Sequence, residues 1–192
     1  MGNKPLRYFL AGETCLFLGI LINIFLLPDG LSANDGISYY SARSTTALPY
    51  LFGLLGAAWF SIKLVRSLPS QSHTMVKVGF LAIALLLLAI AVAPYGISST
   101  FEYSHIILSA LLFLVQFLIV FWMSFKLRRD TTGFLFVMLL LLEMYVTVMY
   151  LSPQKGYLLQ GEVLFQITFA AAVYRSMKEV SNRFEPANAP SS

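Results

Sequence analysis

The sequence predicts an all-α fold: a polytopic membrane bundle of six transmembrane helices with both termini cytoplasmic. Three observations carry this. First, 58% of the 192 residues are hydrophobic and only 11% are charged, against about 45–50% and about 25% in soluble domains. Second, the apolar residues fall into six segments near the roughly 20 residues that a helix needs to cross a hydrocarbon core about 30 Å thick. Third, lysine and arginine gather on alternate connections. So few charges do not solvate a soluble globule of this size. With 15% aromatic residues, disorder is excluded as well, because disordered segments lack groups that bury surface.

The first segment spans residues 8–27, after Lys4 and Arg7, and stops at Pro28-Asp29-Gly30. It is too long for a signal peptide, contains Glu13 and Asn23, and lacks an A-x-A site, so it is expected to stay in place. The longest connection follows, 28–46. The second span is 47–65, closed by Pro69-Ser70, and the third is 75–93, closed by Pro94-Tyr95-Gly96. The fourth is 105–125, before Lys126-Leu127-Arg128-Arg129-Asp130. The fifth is 132–151, before Ser152-Pro153-Gln154-Lys155-Gly156, and the sixth is 157–175. Pro and Gly are the expected punctuation. Helices are required because lipid offers backbone groups no partner. The run 81–90 (LAIALLLLAI) shows none of the alternation of a barrel strand. No internal repeat is visible, so residues 1–175 form one domain, with a flexible cytoplasmic tail over 176–192.

Eleven basic residues lie on one side: Lys4, Arg7, Lys63, Arg66, Lys77, Lys126, Arg128, Arg129, Arg175, Lys178 and Arg183. Only Arg43 and Lys155 lie on the other. The positive-inside rule places the eleven, and both termini, in the cytoplasm. The net charge of +4 is thus a topology signal and not a mark of nucleic-acid binding. The expected location is the cell membrane.

Ionisable groups in a span cost about 2.5–3.5 kcal/mol on insertion scales and ask for a partner or a purpose. Glu13, Glu143 and Glu162 qualify, together with Asn23, Gln116 and Gln166. Helical spacing sorts most of them into stripes. His105, Ser109, Leu112 and Gln116 share one face of the fourth span. Glu143, Thr147 and Tyr150 share one of the fifth, and Glu162 and Gln166 one of the sixth. At about 1.5 Å per residue, Glu143, Gln166 and Gln116 lie about 12–16 Å below the outer surface. Spans four to six are therefore expected to turn these faces inward around an outward-open polar pocket with Glu143 at its floor. The structural alternative is interhelical hydrogen bonding alone.

Three further expectations concern packing. Glu13 sits near the cytoplasmic end of its span and reaches for headgroups, Lys4 or Arg7. The third span lacks a polar stripe and faces lipid along most of its girth. Gly12, Leu16 and Gly19 on the first span match Gly53, Gly56 and Ala57 on the second, a small-residue face that serves internal packing or a partner membrane protein. In the outer loop, Arg43 is placed to pair with Glu102, Glu162 or Glu143, or to hold an anionic group with its planar fork.

No catalytic constellation is legible. A catalytic zinc needs about three protein ligands, and the two histidines, His73 and His105, fall on opposite sides. Ser109 and His105 stand one turn apart without a nucleophile elbow. No phosphate loop or dinucleotide fingerprint is present. No aspartate lies in a span. The lone Cys15 forms no intramolecular disulfide. No cofactor or metal is expected.

The six short spans, the outer-loop sequence Gly36-Ile37-Ser38-Tyr39-Tyr40, the Pro94-Tyr95 break and His105 opening a span together resemble the DRAM-like membrane proteins (damage-regulated autophagy modulator and relatives). The resemblance implies a multi-pass membrane protein without a defined enzymatic activity. It carries over no functional residue, and Glu143 departs from the family pattern.

Three functions stay open on these residues. One is a non-enzymatic protein binding a lipid headgroup or small solute in the pocket. The second is a small proton-coupled transporter or channel subunit titrating at Glu143, working as a homodimer. The third is an accessory subunit of a membrane complex.

Overall fold

The computed structural model describes residues 4–32, 36–68, 74–96, 98–128, 130–150 and 158–184. Side chains are described to the same limits, apart from 127–128, 146–150 and 180–184. Six long helices make up the fold: α1 (Lys4–Leu26), α2 (Ala47–Ser67), α3 (Thr74–Val92), α4 (Ser99–Trp122), α5 (Thr131–Tyr150) and α6 (Leu158–Phe184). Among the described residues, Lys4–Leu26, Ala47–Ser67, Thr74–Val92 and Ser99–Lys126 are each long and apolar enough to cross a membrane. This is a multi-pass α-helical membrane protein.

Sequence neighbours pack as antiparallel pairs, and α6 returns to α1 and α4 to close the bundle. Pro49, Gly53, Ala57 and Phe60 of α2 descend as Gly19 and Gly12 of α1 ascend. One end of the bundle carries a 3₁₀ turn, Gly36–Tyr40, and is called here the turn end. The opposite, basic end carries Lys4, Arg7, Lys63, Arg66, Lys77 and Lys126.

The α1–α2 crossing is close because glycine makes it so. A Cβ on Gly19 would stand 2.7 Å from the Pro49 carbonyl oxygen and 3.0 Å from Gly53 Cα. Both neighbours are backbone and cannot rotate away. Of the two uses expected of this small-residue face, internal packing is the one seen: it lies between the chain's own first two helices.

Helix ends are set by local contacts, and some differ from expectation. The α4 helix starts at Ser99, where the Ser98 hydroxyl accepts the Phe101 N–H at 3.4 Å. That N-cap starts the helix six residues ahead of the apolar run. It continues into a π-helical turn, Met123–Arg128. The α5 helix is capped by Asp130, whose Oδ1 accepts the Gly133 N–H at 2.7 Å. Its Oδ2 accepts from Arg175 Nη2 of α6 at 3.0 Å. The α6 helix runs on to Phe184, with Ser176 and Met177 buried. Residues 176–184 thus continue the helix instead of starting a tail, and residues 185–192 lie outside the described residues.

The third helix is buried over only 33% of its span, in keeping with a helix that faces lipid along most of its girth. Val76, Phe80, Ile83, Leu87 and Ile90 form its buried stripe at helical spacing. Met75, Val78, Leu81, Leu85 and Val92 are exposed on the other side. The buried stripe is apolar because it packs as a wall.

Candidate functional site

The helices enclose a cavity of about 70 Å³. Its walls come from α1, α2, α3, α4 and α6, with Ile37 and Ser38 of the 3₁₀ turn at the turn end. Among the described residues, helix α5 contributes none. The polar lining is Glu13 of α1, Tyr50 and Ser61 of α2, His105, Ser109 and Gln116 of α4, Glu162 and Gln166 of α6, and Ser38. Of the nine residues expected to form the site, five therefore meet: Gln116, Gln166, Glu162, His105 and Ser109.

Gln116 and Gln166 hold each other. Gln116 Nε2 donates to Gln166 Oε1 at 3.0 Å, and Gln166 Nε2 donates back to Gln116 Oε1 at 3.1 Å. Both side chains are buried. The parallel run of α4 and α6 makes the pairing possible, with Phe113 and Phe165 packed edge to face one turn closer to the turn end.

At the turn end, Glu162 and His105 fasten the 3₁₀ turn over the cavity. Glu162 Oε2 accepts the Ile37 N–H at 2.6 Å. Gly36 has φ +61°, a left-handed conformation that favours glycine. A Cβ there would meet the Glu162 carboxyl carbon at 2.7 Å. Glycine is thus required both by the backbone angle and by the approach of the carboxyl group. His105 Nδ1 lies 2.6 Å from the Ala93 carbonyl oxygen and Nε2 lies 2.7 Å from Ser38 Oγ. A carbonyl only accepts, so Nδ1 carries hydrogen, and in the neutral ring Nε2 accepts from the Ser38 hydroxyl. The network continues through Ser41, whose hydroxyl donates to the Ser38 carbonyl at 2.8 Å and accepts the Tyr95 N–H at 3.0 Å. Thr46 donates to the Tyr40 carbonyl at 2.9 Å. Gln160 Nε2 donates to the Leu31 carbonyl at 2.7 Å. Burial, then the neighbouring Tyr39, raises the Tyr40 phenol above its usual range.

Glu143 is not at the floor of this cavity. Its Oε1 accepts from Thr168 at 2.8 Å on the seam between α5 and α6. Helical geometry explains the displacement. The cavity face of α6 is Glu162, Gln166 and Phe169. Thr168 lies two residues past Gln166, about 200° around the helix, and so looks at α5. Spacing along each helix ordered the polar residues but did not tell which neighbour each stripe meets.

Arg43 makes none of the pairings expected of it. Its guanidinium lies 5.0 Å from the centre of the Tyr39 ring, and the residue is exposed. The Glu102 carboxylate instead accepts from the Tyr95 hydroxyl at 3.1 Å. Thr147 and Tyr150 belong to the backbone of α5, but their side chains lie outside the described residues, as do His73 and Lys155.

Glu13 is the lining residue that the sequence reading set aside. The helix begins at Lys4, four residues before the expected span. The carboxyl group is therefore about 14 Å along the helix from Lys4, and it lines the cavity. Its Oε2 is buried with no hydrogen-bond partner among the described residues. Ser38 belongs to the outer-loop sequence Gly36-Ile37-Ser38-Tyr39-Tyr40, and nothing in its local sequence marks the contact with His105.

No family model, curated protein or solved structure matches the chain.

Proposed function

We propose that the chain is a six-span, non-enzymatic membrane protein with both termini cytoplasmic, and that it binds a small polar solute within its helix bundle. The observation that carries this is one cavity, at mid-bundle depth, faced by two carboxyl groups on α1 and α6, two carboxamides and an imidazole. Such groups are expensive in a membrane interior and mark binding or conduction sites. A cavity of about 70 Å³ exceeds the roughly 10–15 Å³ needed for one water. Five helices surround it, which favours a small solute over a lipid whose acyl chains must stay in the bilayer. The distribution of basic residues supports reading the turn end as the outer one.

A second reading, passage of the solute across the bilayer, is favoured by the length of the lining. It runs from His105 and Glu162 near the turn end to Tyr8 and Ser61 toward the basic end. In that reading the acids concerned are Glu162 and Glu13, and Glu143 has no part.

Cysteine accessibility tests the reading. A thiol reacts as its thiolate, which forms in water and not in hydrocarbon. In a Cys15→Ala background, Ser109→Cys is expected to react with the neutral reagent hydroxyethyl methanethiosulfonate. The rate should exceed that of the lipid-facing control Leu114→Cys at least tenfold. Equal, negligible rates at the two positions overturn the proposal.

A further inference from the structure

The cavity has two chemically different ends. At the turn end every acid or base has a protein partner: Glu162 has the Ile37 amide, and His105 has Ser38 and Ala93. Toward the basic end the carboxyl group of Glu13 has none, and one of its oxygens is sealed from solvent. The same stretch of wall is aromatic. Phe9 meets Phe80 edge to face at 6.0 Å and Phe169 at 6.2 Å. Tyr8 stacks on Phe60 at 6.4 Å between ring centres. Phe9, Phe80, Phe169 and Tyr8 all line the cavity together with Glu13.

We propose that this end of the cavity is a binding site for a small primary ammonium cation, its N–H groups directed to the Glu13 carboxylate and its charge and alkyl carbon against the phenylalanine rings. The inference rests on the reading of the cavity as a solute site and names the class of solute. Three features point to it. A carboxyl group with one oxygen buried and no protein donor is matched by a ligand that brings donors and a positive charge. Aromatic faces attract cations, most strongly where water is excluded. A bare divalent ion would need several hard oxygen ligands. Among the described residues no group of three or more His, Cys, Asp or Glu side chains is placed to supply them.

The test is equilibrium binding of radiolabelled methylammonium to the purified full chain in detergent, with potassium chloride holding ionic strength constant. Saturable binding is expected. Glu13→Gln should weaken it at least tenfold while elution volume and melting temperature stay near those of the unsubstituted protein. Glu143→Gln, on the α5–α6 seam, should leave it unchanged. Should Glu13→Gln fail to fold, protection replaces it: saturating methylammonium should slow modification of Ser109→Cys at least threefold in a chain that keeps Glu13. No saturable binding, undiminished binding in folded Glu13→Gln, or no protection overturns the ammonium site. The Ser109→Cys reaction without ligand separates the two readings. A reactive thiol with no methylammonium binding leaves the cavity standing and removes only its proposed ligand; an unreactive thiol removes both.

Discussion

Gln116 of α4 and Gln166 of α6 are joined by two hydrogen bonds, of 3.0 and 3.1 Å, each amide donating to the other. A reciprocal pair of this kind satisfies one donor and one acceptor on each side chain. It also fixes the level at which two parallel helices meet. Removing one member leaves the other buried without its partner, which costs more than removing both. Gln116→Met alone is expected to destabilise the protein by about 1 kcal/mol, in the range seen for hydrogen bonds between membrane helices. The Gln116→Met/Gln166→Met double variant should cost less than the sum of the two single ones. Reversible unfolding in mixed micelles measures all three. Strict additivity would show that the pair is not coupled.

The Gly36 position predicts a coupled effect with an acid far along the chain. Gly36→Ala adds a side chain at positive φ, at about 1–2 kcal/mol, and drives it toward the Glu162 carboxyl. In a Glu162→Ala background the steric part disappears and only the backbone part remains. A double-mutant cycle on melting temperature should therefore show a clearly smaller penalty for Gly36→Ala when Glu162 is absent. Equal penalties in the two backgrounds would remove the contact from the account.

The close approach of α1 and α2 orders two glycine substitutions. A Cβ on Gly19 meets backbone at 2.7 Å, whereas one on Gly12 meets the Phe60 Cβ at 3.3 Å. Overpacking costs about 1–3 kcal/mol and is worst where the neighbour is fixed. Gly19→Ala should lower the melting temperature markedly and Gly12→Ala only slightly. The reverse order would mean that the helices separate along their whole length instead of at the glycines.

Glu143 supplies the counter-test for the cavity. Gln at this position keeps an oxygen to accept the Thr168 hydroxyl. Glu143→Gln is expected to change stability by less than about 1 kcal/mol and to leave Ser109→Cys reactivity as it is. A change in that reactivity would place Glu143 back in contact with the cavity.

Much of the bundle is legible in the sequence because hydrophobic length and proline punctuation are local signals. The starts of α1 and α4 are not, since helices continue through the polar residues Lys4–Arg7 and Ser99–Tyr103 once a cap or a first turn is in place. Glu13 joins the cavity through the helices that surround α1, which its local sequence does not name. Gln116, Gln166, Glu162 and His105 were found because each is costly in an apolar run. What spacing does not contain is helix adjacency. The polar face of α5 is real, yet it meets a flank of α6 that does not open on the cavity. The plain apolar face of α3 does. Ser38 was beyond reach for another reason: a loop serine gains its role only from the histidine that the fold places 2.7 Å away.

The closing turn also has a consequence for biosynthesis. Ile37 and the Glu162 carboxyl that receives its amide are separated by 125 positions. During translation the turn emerges first, and its acceptor is made only with the last helix. Ribosome-bound chains cut off before α6 therefore hold an unsealed interior, and the seal arrives as the final step of assembly. A reporter cysteine at Ser38 should stay open to reagent in every truncated intermediate and become protected only when α6 is complete.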